Sequence, residues 1–337
     1  MSSSHAQPSP GEQAIEPRLA TEWSRALNLR VPVVNAPMGG VAGGRLAAAV
    51  TSAGGLGMIG MGSAGSVAAL CTELEHTTGR FGIGLVDWVM AAEPGLLDAA
   101  IAAAPTLISV SFGTSLSWVE PVRDSGILTA TQVYNVAEAR RAQDAGIDVV
   151  VARGAEGGGH GATEMATLPL LDAVLDAVSV PVLAAGGIGS GASLAAVLAA
   201  GASGVWLGTH LAACSESLLS DSGRRALIEA DGTDTIVTRA FDIAMGLPWP
   251  TRFPARVLRN EFTDRWTGHE DALRTDRAAR EKVTAAIDAD DPSAAPVDAG
   301  QGVGMITTAT SAAQVIHEIC SGAAALLSRP ISGSGPT

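Results

Sequence analysis

The sequence predicts an α/β fold whose parallel strands close into a TIM-type (β/α)8 barrel, with a C-terminal insertion or lid segment and a closing helix. Three observations predict it. Eight short apolar runs alternate with alanine-rich helical segments, and glycine or proline stands at nearly every junction. The runs are continuously apolar rather than alternating, as strands covered on both faces must be. Their number matches the eight units of a closed barrel. An open doubly wound sheet is the rival, but its first strand usually leads into GxGxxG, whereas the first run here is followed by GGVAGG at 39–44.

Strands are expected at 31–38, 56–61, 81–87, 106–112, 127–134, 147–153, 180–186 and 203–208. Helices are expected at 44–53, 67–77, 95–104, 117–124, 135–145, 168–178, 192–200 and 216–230, the fourth having the weakest pattern. Residues 1–19 read as a flexible leader, 20–230 with 297–330 as the barrel, and 231–296 as the inserted lid. The stretch 231–267 is rich in Trp, Pro, Arg and Phe, and its Trp249, Phe253, Phe262 and Trp266 suit a lid, a homodimer surface or the packing of an insertion onto the barrel. Residues 269–287 read as one charged surface helix, 288–296 as a loose acidic linker, and 311–327 as the closing amphipathic helix.

With 337 residues, 47% hydrophobic and only 16% charged, the chain can bury a large core. A net charge of −13 without any Lys/Arg run argues against nucleic acid or an anionic membrane surface as partner. No apolar stretch reaches the roughly 20 residues of a membrane span, and the first residues lack a signal-like apolar segment, so a cytoplasmic location is expected. Cys71, Cys214 and Cys320 have no metal-ligand spacing and read as buried free thiols.

Functional groups of such a barrel collect where strands end. At the seventh and eighth ends, AAGGIGSG and WLGTH carry glycines that let backbone N–H groups converge on a phosphate near a helix N-terminus. At the sixth, AEGGGHGA places His160 among glycines that leave the ring open to a flat ligand. His210 reads as packing against the phosphate turn or capping a helix. No GxSxG, P-loop, HExxH or paired-carboxylate signature is present.

Taken together, NAPMGGVAGGRLAAAVTSAGGLG, AEGGGHGA, AAGGIGSG, GVWLGTHLAACSES and AGQGVG resemble the nitronate monooxygenase family, formerly 2-nitropropane dioxygenases, over about residues 31–327. The resemblance implies a barrel with non-covalent FMN. Position by position, it places Ala36, Pro37 and Met38 along the isoalloxazine. It assigns Gly186, Gly187, Gly208 and Thr209 to the phosphate and Gln132 to the flavin's underside. Gly159 and Gln301, the latter in the loop 300–302, are set beside the cofactor, and His160 stands as the catalytic histidine. The implied reaction is oxidation of an alkyl nitronate or nitroalkane by O2 to a carbonyl compound and nitrite.

Three departures stand out. The family's sixth strand usually ends in QGxEAGGH, where this chain has Arg153 and Gly157. Its third strand often carries an asparagine at the position of Gly84. Arg153 suits a cation aimed at an anionic substrate or the cofactor, or a salt bridge behind the strand; Asp87 and Trp88 suit a replacement for the lost asparagine contact, Asp87 equally a helix cap; Tyr134 suits the site or the core. The same motifs also resemble FMN-dependent NAD(P)H enoyl-ACP reductases, for which Arg252, Arg256 and Arg259 form the visible docking patch for an acidic carrier. A non-redox phosphate-binding barrel lacks its Schiff-base lysine or carboxylate dyad.

Overall fold

The computed structural model describes residues 19–329. The expected leader therefore lies outside the described residues except for Leu19, which is buried.

Eight parallel strands form the barrel: β1 (Val33–Asn35), β2 (Gly57–Met61), β3 (Phe81–Val86), β4 (Leu107–Ser111), β5 (Leu128–Val133), β6 (Val149–Arg153), β8 (Val182–Ala185) and β9 (Gly204–Leu207). The two-residue β7 (Gly159–His160) lies outside it. Every residue of β1, β2, β4, β6, β8 and β9 is buried, which is why these strands read as unbroken apolar runs. Neighbours pair in the order β1-β9-β8-β6-β5-β4-β3-β2.

The seam between β1 and β2 is closed differently. Only one bridge, Val34 with Leu56, joins the two backbones. The fully buried Asn35 amide completes the junction: Nδ2 donates to the Met58 carbonyl at 2.8 Å, and Oδ1 accepts from the Met58 N–H at 2.7 Å. A side chain here satisfies the backbone groups that a ladder would otherwise pair.

Helices follow the strands much as the alanine-rich segments predict, shortened at their ends. The weakest expected helix is reduced to Val119–Asp124. Ser190 caps the helix Gly191–Ala199 through a capping box with Ser193. The closing helix Ala312–Leu327 crosses it where Gly191 meets Gly322; a Cβ on Gly191 would lie 2.7 Å from the Gly322 backbone. Only glycine permits that approach.

The segment after the barrel builds β10 (Thr235–Thr238) and β11 (Ala255–Leu258), which pair antiparallel; β11 also pairs with β7. Its aromatics divide. Phe262 and Trp266 enter a separate small core with Phe241, Leu273 and Val283, whereas Trp249 and Phe253 join the barrel core.

Three sequence expectations need correction. The single charged helix over 269–287 is two, Glu270–Leu273 and Arg277–Asp288, because Asp276 accepts from the Ala279 N–H and caps the second. The linker over 288–296 is ordered turn structure that buries Ala294 and Ala295. Cys71 is exposed, because the helix Val67–Leu74 buries only Leu70. Cys214 and Cys320 are buried as expected, their thiols pushed up to about 12 chiefly by desolvation.

Candidate active site

The C-terminal ends of the barrel strands carry two linked groups of residues. The first is built from glycine turns. After β8, Gly186 and Gly187 adopt φ of +105° and +69°, conformations that L side chains rarely take. After β9, Gly208 precedes the short helix Thr209–Ala212. Among the described residues, the N–H groups of Gly187, Ile188, Gly208 and Thr209 have no hydrogen-bond acceptor. Four such donors on adjacent strand ends suit a phosphate. His210 donates from Nδ1 to the Gly189 carbonyl at 2.9 Å, tying the two turns together, and burial keeps its pKa below the usual value. It is a brace, as its position after the turn suggests.

The turn after β1 borders this group: a Cβ on Gly208 would stand 3.7 Å from Met38 Sδ and 3.8 Å from Ala36 Cβ. Pro37 rides over β2 and β3, and a Cβ at Gly84 would overlap its ring at 2.2 Å. Glycine at 84 therefore makes room for Pro37, and no side chain fits where the family's asparagine would stand. The loop 300–302 closes the ring, with Gly300 N–H donating to Thr209 Oγ1 at 2.9 Å and Gln301 N–H to the Glu156 carbonyl at 2.9 Å. The Gln301 side chain itself is exposed at the rim.

The second group centres on His160. Pairing of β7 with Ala255 and Arg256 fixes its backbone. Its ring stacks on Trp249 with centroids 3.5 Å apart and planes within 6°, and Nε2 lies 2.9 Å from Asp242 Oδ1. Asp242, in the helix Ala240–Met245, is buried, and its Oδ2 has no partner among the described residues. Trp249 Nε1 donates to Ser63 Oγ at 3.0 Å, while its ring meets Trp88 and Phe112 edge-on. Phe112, directly after β4, has φ +72°, a strained conformation for a non-glycine residue.

Gln132 connects to the same aromatic group. It accepts at Oε1 from the buried Tyr134 hydroxyl at 3.2 Å, and Phe253 packs beside Tyr134 and Phe112. Burial raises the Tyr134 pKa, which keeps the phenol a donor. The sole tyrosine thus lies in the core and holds Gln132 from behind. Asp87 is not the expected helix cap but the residue after the N-cap Val86, the first of the helix Asp87–Ala92, and burial raises its carboxyl above the usual range.

Arg153 matches neither role expected of it. Its buried Nη2 donates to three successive carbonyls, Gly157, Gly158 and Gly159, at 2.9, 3.0 and 3.1 Å. The guanidinium therefore shapes the loop that presents His160. A Cβ at Gly157 would lie 3.0 Å from its Cζ and Nε, so Arg153 and Gly157 form one linked change from QGxEAGGH. Asp298, also unforeseen, is exposed to solvent, with its Oδ2 3.3 Å from where a Cβ on Gly159 would stand. Desolvation pushes its carboxyl up, His160 pulls it down, Asp242 pushes it up again, and Arg153 pulls it down.

Asp242 and Asp298 were not foreseen, and Trp249 was expected only as a lid, dimer-surface or packing aromatic, because all three lie in or beside the inserted segment, far from any glycine turn. One signal was present. Asp242 is the only charge in AFDIAM, and a carboxylate inside an apolar run normally has a partner. The three arginines considered as a carrier-docking patch are occupied: Arg252 with Glu138 and Glu164, Arg256 with the Ala155 carbonyl and Thr235, Arg259 with Asp264.

Comparison with known proteins agrees with this architecture. The family model for nitronate monooxygenase matches residues 95–322. A Mycobacterium tuberculosis enzyme named (3aS,4S,5R,7aS)-5-hydroxy-7a-methyl-1-oxo-octahydro-1H-indene-4-carboxyl-CoA dehydrogenase is 32% identical over 255 residues, covering 74% of this chain and 68% of its own. FabK from Thermotoga maritima superposes with a TM-score of 0.77 at 27% identity, covering 91% of this chain and 97% of its own. Nitroalkane oxidase from Streptomyces ansochromogenes does so with 0.74 at 29% identity, covering 90% and 98%.

Proposed function

Since this chain belongs to the nitronate monooxygenase family, a family of oxidoreductases, we propose that it binds FMN across the barrel mouth and oxidises alkyl nitronates or nitroalkanes with O2. The observation that carries the reading is the pairing of a phosphate-type donor set, the free N–H groups around Gly187 and Gly208, with a clamped, half-buried imidazole at the same end of the barrel. Gly186, Gly187, Gly208 and Thr209 would hold the phosphate. Ala36, Pro37, Met38, Gln132, Gly159 and Gln301 would border the ring system. Bound there, FMN supplies electron acceptance and reactivity towards O2, chemistry that no side chain offers.

The chain's own residues supply the proton chemistry and the enclosure. His160 takes the α-proton of a neutral nitroalkane, and the protonated ring then hydrogen-bonds the nitro group of the nitronate so formed. Trp249, Trp88, Phe112 and Phe253 shield that imidazole from bulk water and offer an apolar wall to the alkyl group. Products are the carbonyl compound and nitrite.

Purified protein should be yellow and release FMN on denaturation. His160→Asn should retain the flavin while lowering turnover of neutral nitroalkane about 100-fold or more. Unchanged kinetics would remove His160 from the mechanism. A second reading, reduction or dehydrogenation of a thioester with a pyridine nucleotide, is favoured by the name of the Mycobacterium tuberculosis relative. Rapid anaerobic bleaching by NADH, with no nitrite from any nitronate, would select it; the occupied arginines speak against a carrier-protein form of it.

A further inference from the structure

We infer that Asp242 is a positioning residue that fixes the His160 tautomer and so makes Nδ1, not Nε2, the ring atom that meets substrate. This rests on the reading of His160 as the base. An ionised carboxylate only accepts, so the 2.9 Å contact between Nε2 and Asp242 Oδ1 requires the proton on Nε2. A neutral ring then carries its lone pair on Nδ1, which has no partner among the described residues.

Burial makes the arrangement hard to invert. The side chains of His160 and Asp242 are 15% and 4% exposed, so moving the proton to Nδ1 would set two acceptors face to face with little water to separate them. Rotation of the ring is blocked separately, because Trp249 lies parallel to it at 3.5 Å and is itself held by Ser63. The other charged groups near the ring, Asp298 from the segment beside β11 and Arg153 from β6, make no hydrogen bond to it. Asp242 is therefore the group that decides which nitrogen is the base. When Nδ1 takes the α-proton, the C–H electron pair stays on the substrate as its nitronate, and the resulting imidazolium faces an anionic carboxylate already in contact.

The test has two arms. In wild-type holoprotein with 15N-labelled histidine at about pH 8.5, roughly two units above the free imidazole value, the His160 signals, identified by their loss in His160→Asn, should show a protonated Nε2 and a bare Nδ1. A protonated Nδ1 would overturn the proposal. This arm needs no substrate and stands even if wild-type protein turns over neither nitroalkane nor nitronate, a result that would overturn the proposed function instead. In the second arm, Asp242→Asn should lower kcat for neutral nitroalkane about 100-fold while leaving KM and the turnover of pre-ionised nitronate within about threefold. Equal loss on both substrates would mean that Asp242 merely supports the fold, and no loss on either would mean that it positions nothing.

Discussion

Asp298 is the residue whose behaviour the sequence least foretells. It follows Val297 in what reads as a plain return to the barrel, yet its carboxyl interacts with His160, Asp242 and Arg153. Because desolvation raises its folded-state pKa above the unfolded value, the folded chain holds that proton more tightly. Its contribution to stability is fully present below the unfolded pKa and is lost as pH rises through the folded one. Asp298→Asn should therefore raise the Tm relative to wild type at neutral pH, with the difference shrinking as pH falls towards 4. A difference independent of pH would show that ionisation of this carboxyl carries no such cost. His160 was legible from its glycine loop and Asp242 only faintly from its apolar neighbours. Trp249 was visible as an aromatic, but its stacking on imidazole depends on how β11 returns to β7, which no local pattern encodes.

The βα units were readable because each buried strand is an apolar run with a glycine or proline at its end, and the structure trims these runs by a few residues without moving any. The inserted segment was less legible, since β10 and β11 are short and their partner β7 has only two residues. The sixth loop shows how a departure from a family motif becomes a local rule. A side chain at residue 157 would crowd the guanidinium that reaches three carbonyls, so the two positions should behave as a pair. Gly157→Ala alone should destabilise the protein by about 1–3 kcal/mol through overpacking against the guanidinium. Adding Arg153→Gln should recover part of that loss, giving a favourable coupling in a double-mutant cycle measured by urea unfolding. Strict additivity would contradict the linkage.

Across the whole molecule, the barrel holds its mouth open at the C-terminal strand ends while its seam depends on one amide. Asn35→Leu would leave the buried N–H and carbonyl of Met58 unpaired, at a cost of about 3 kcal/mol or more. Because Ala36, Pro37 and Met38 follow directly, the same variant should also weaken flavin retention, measured as free FMN after gel filtration. Full stability and full flavin content would show that the seam is held by other contacts. The barrel was foreseeable from the count of units; the closure of its seam by a side chain was not, because an asparagine at a strand end looks like ordinary turn chemistry.

The central claim, an FMN-loaded barrel mouth that feeds electrons from a carbanion to oxygen beside His160, meets its most direct test in one aerobic assay. Purified holoprotein is mixed with a pre-ionised alkyl nitronate in the absence of any pyridine nucleotide, while oxygen uptake and nitrite are followed together. The account predicts that both proceed with substrate and need nothing else. Oxygen uptake absent until NADH is added, or nitrite absent throughout, would contradict it.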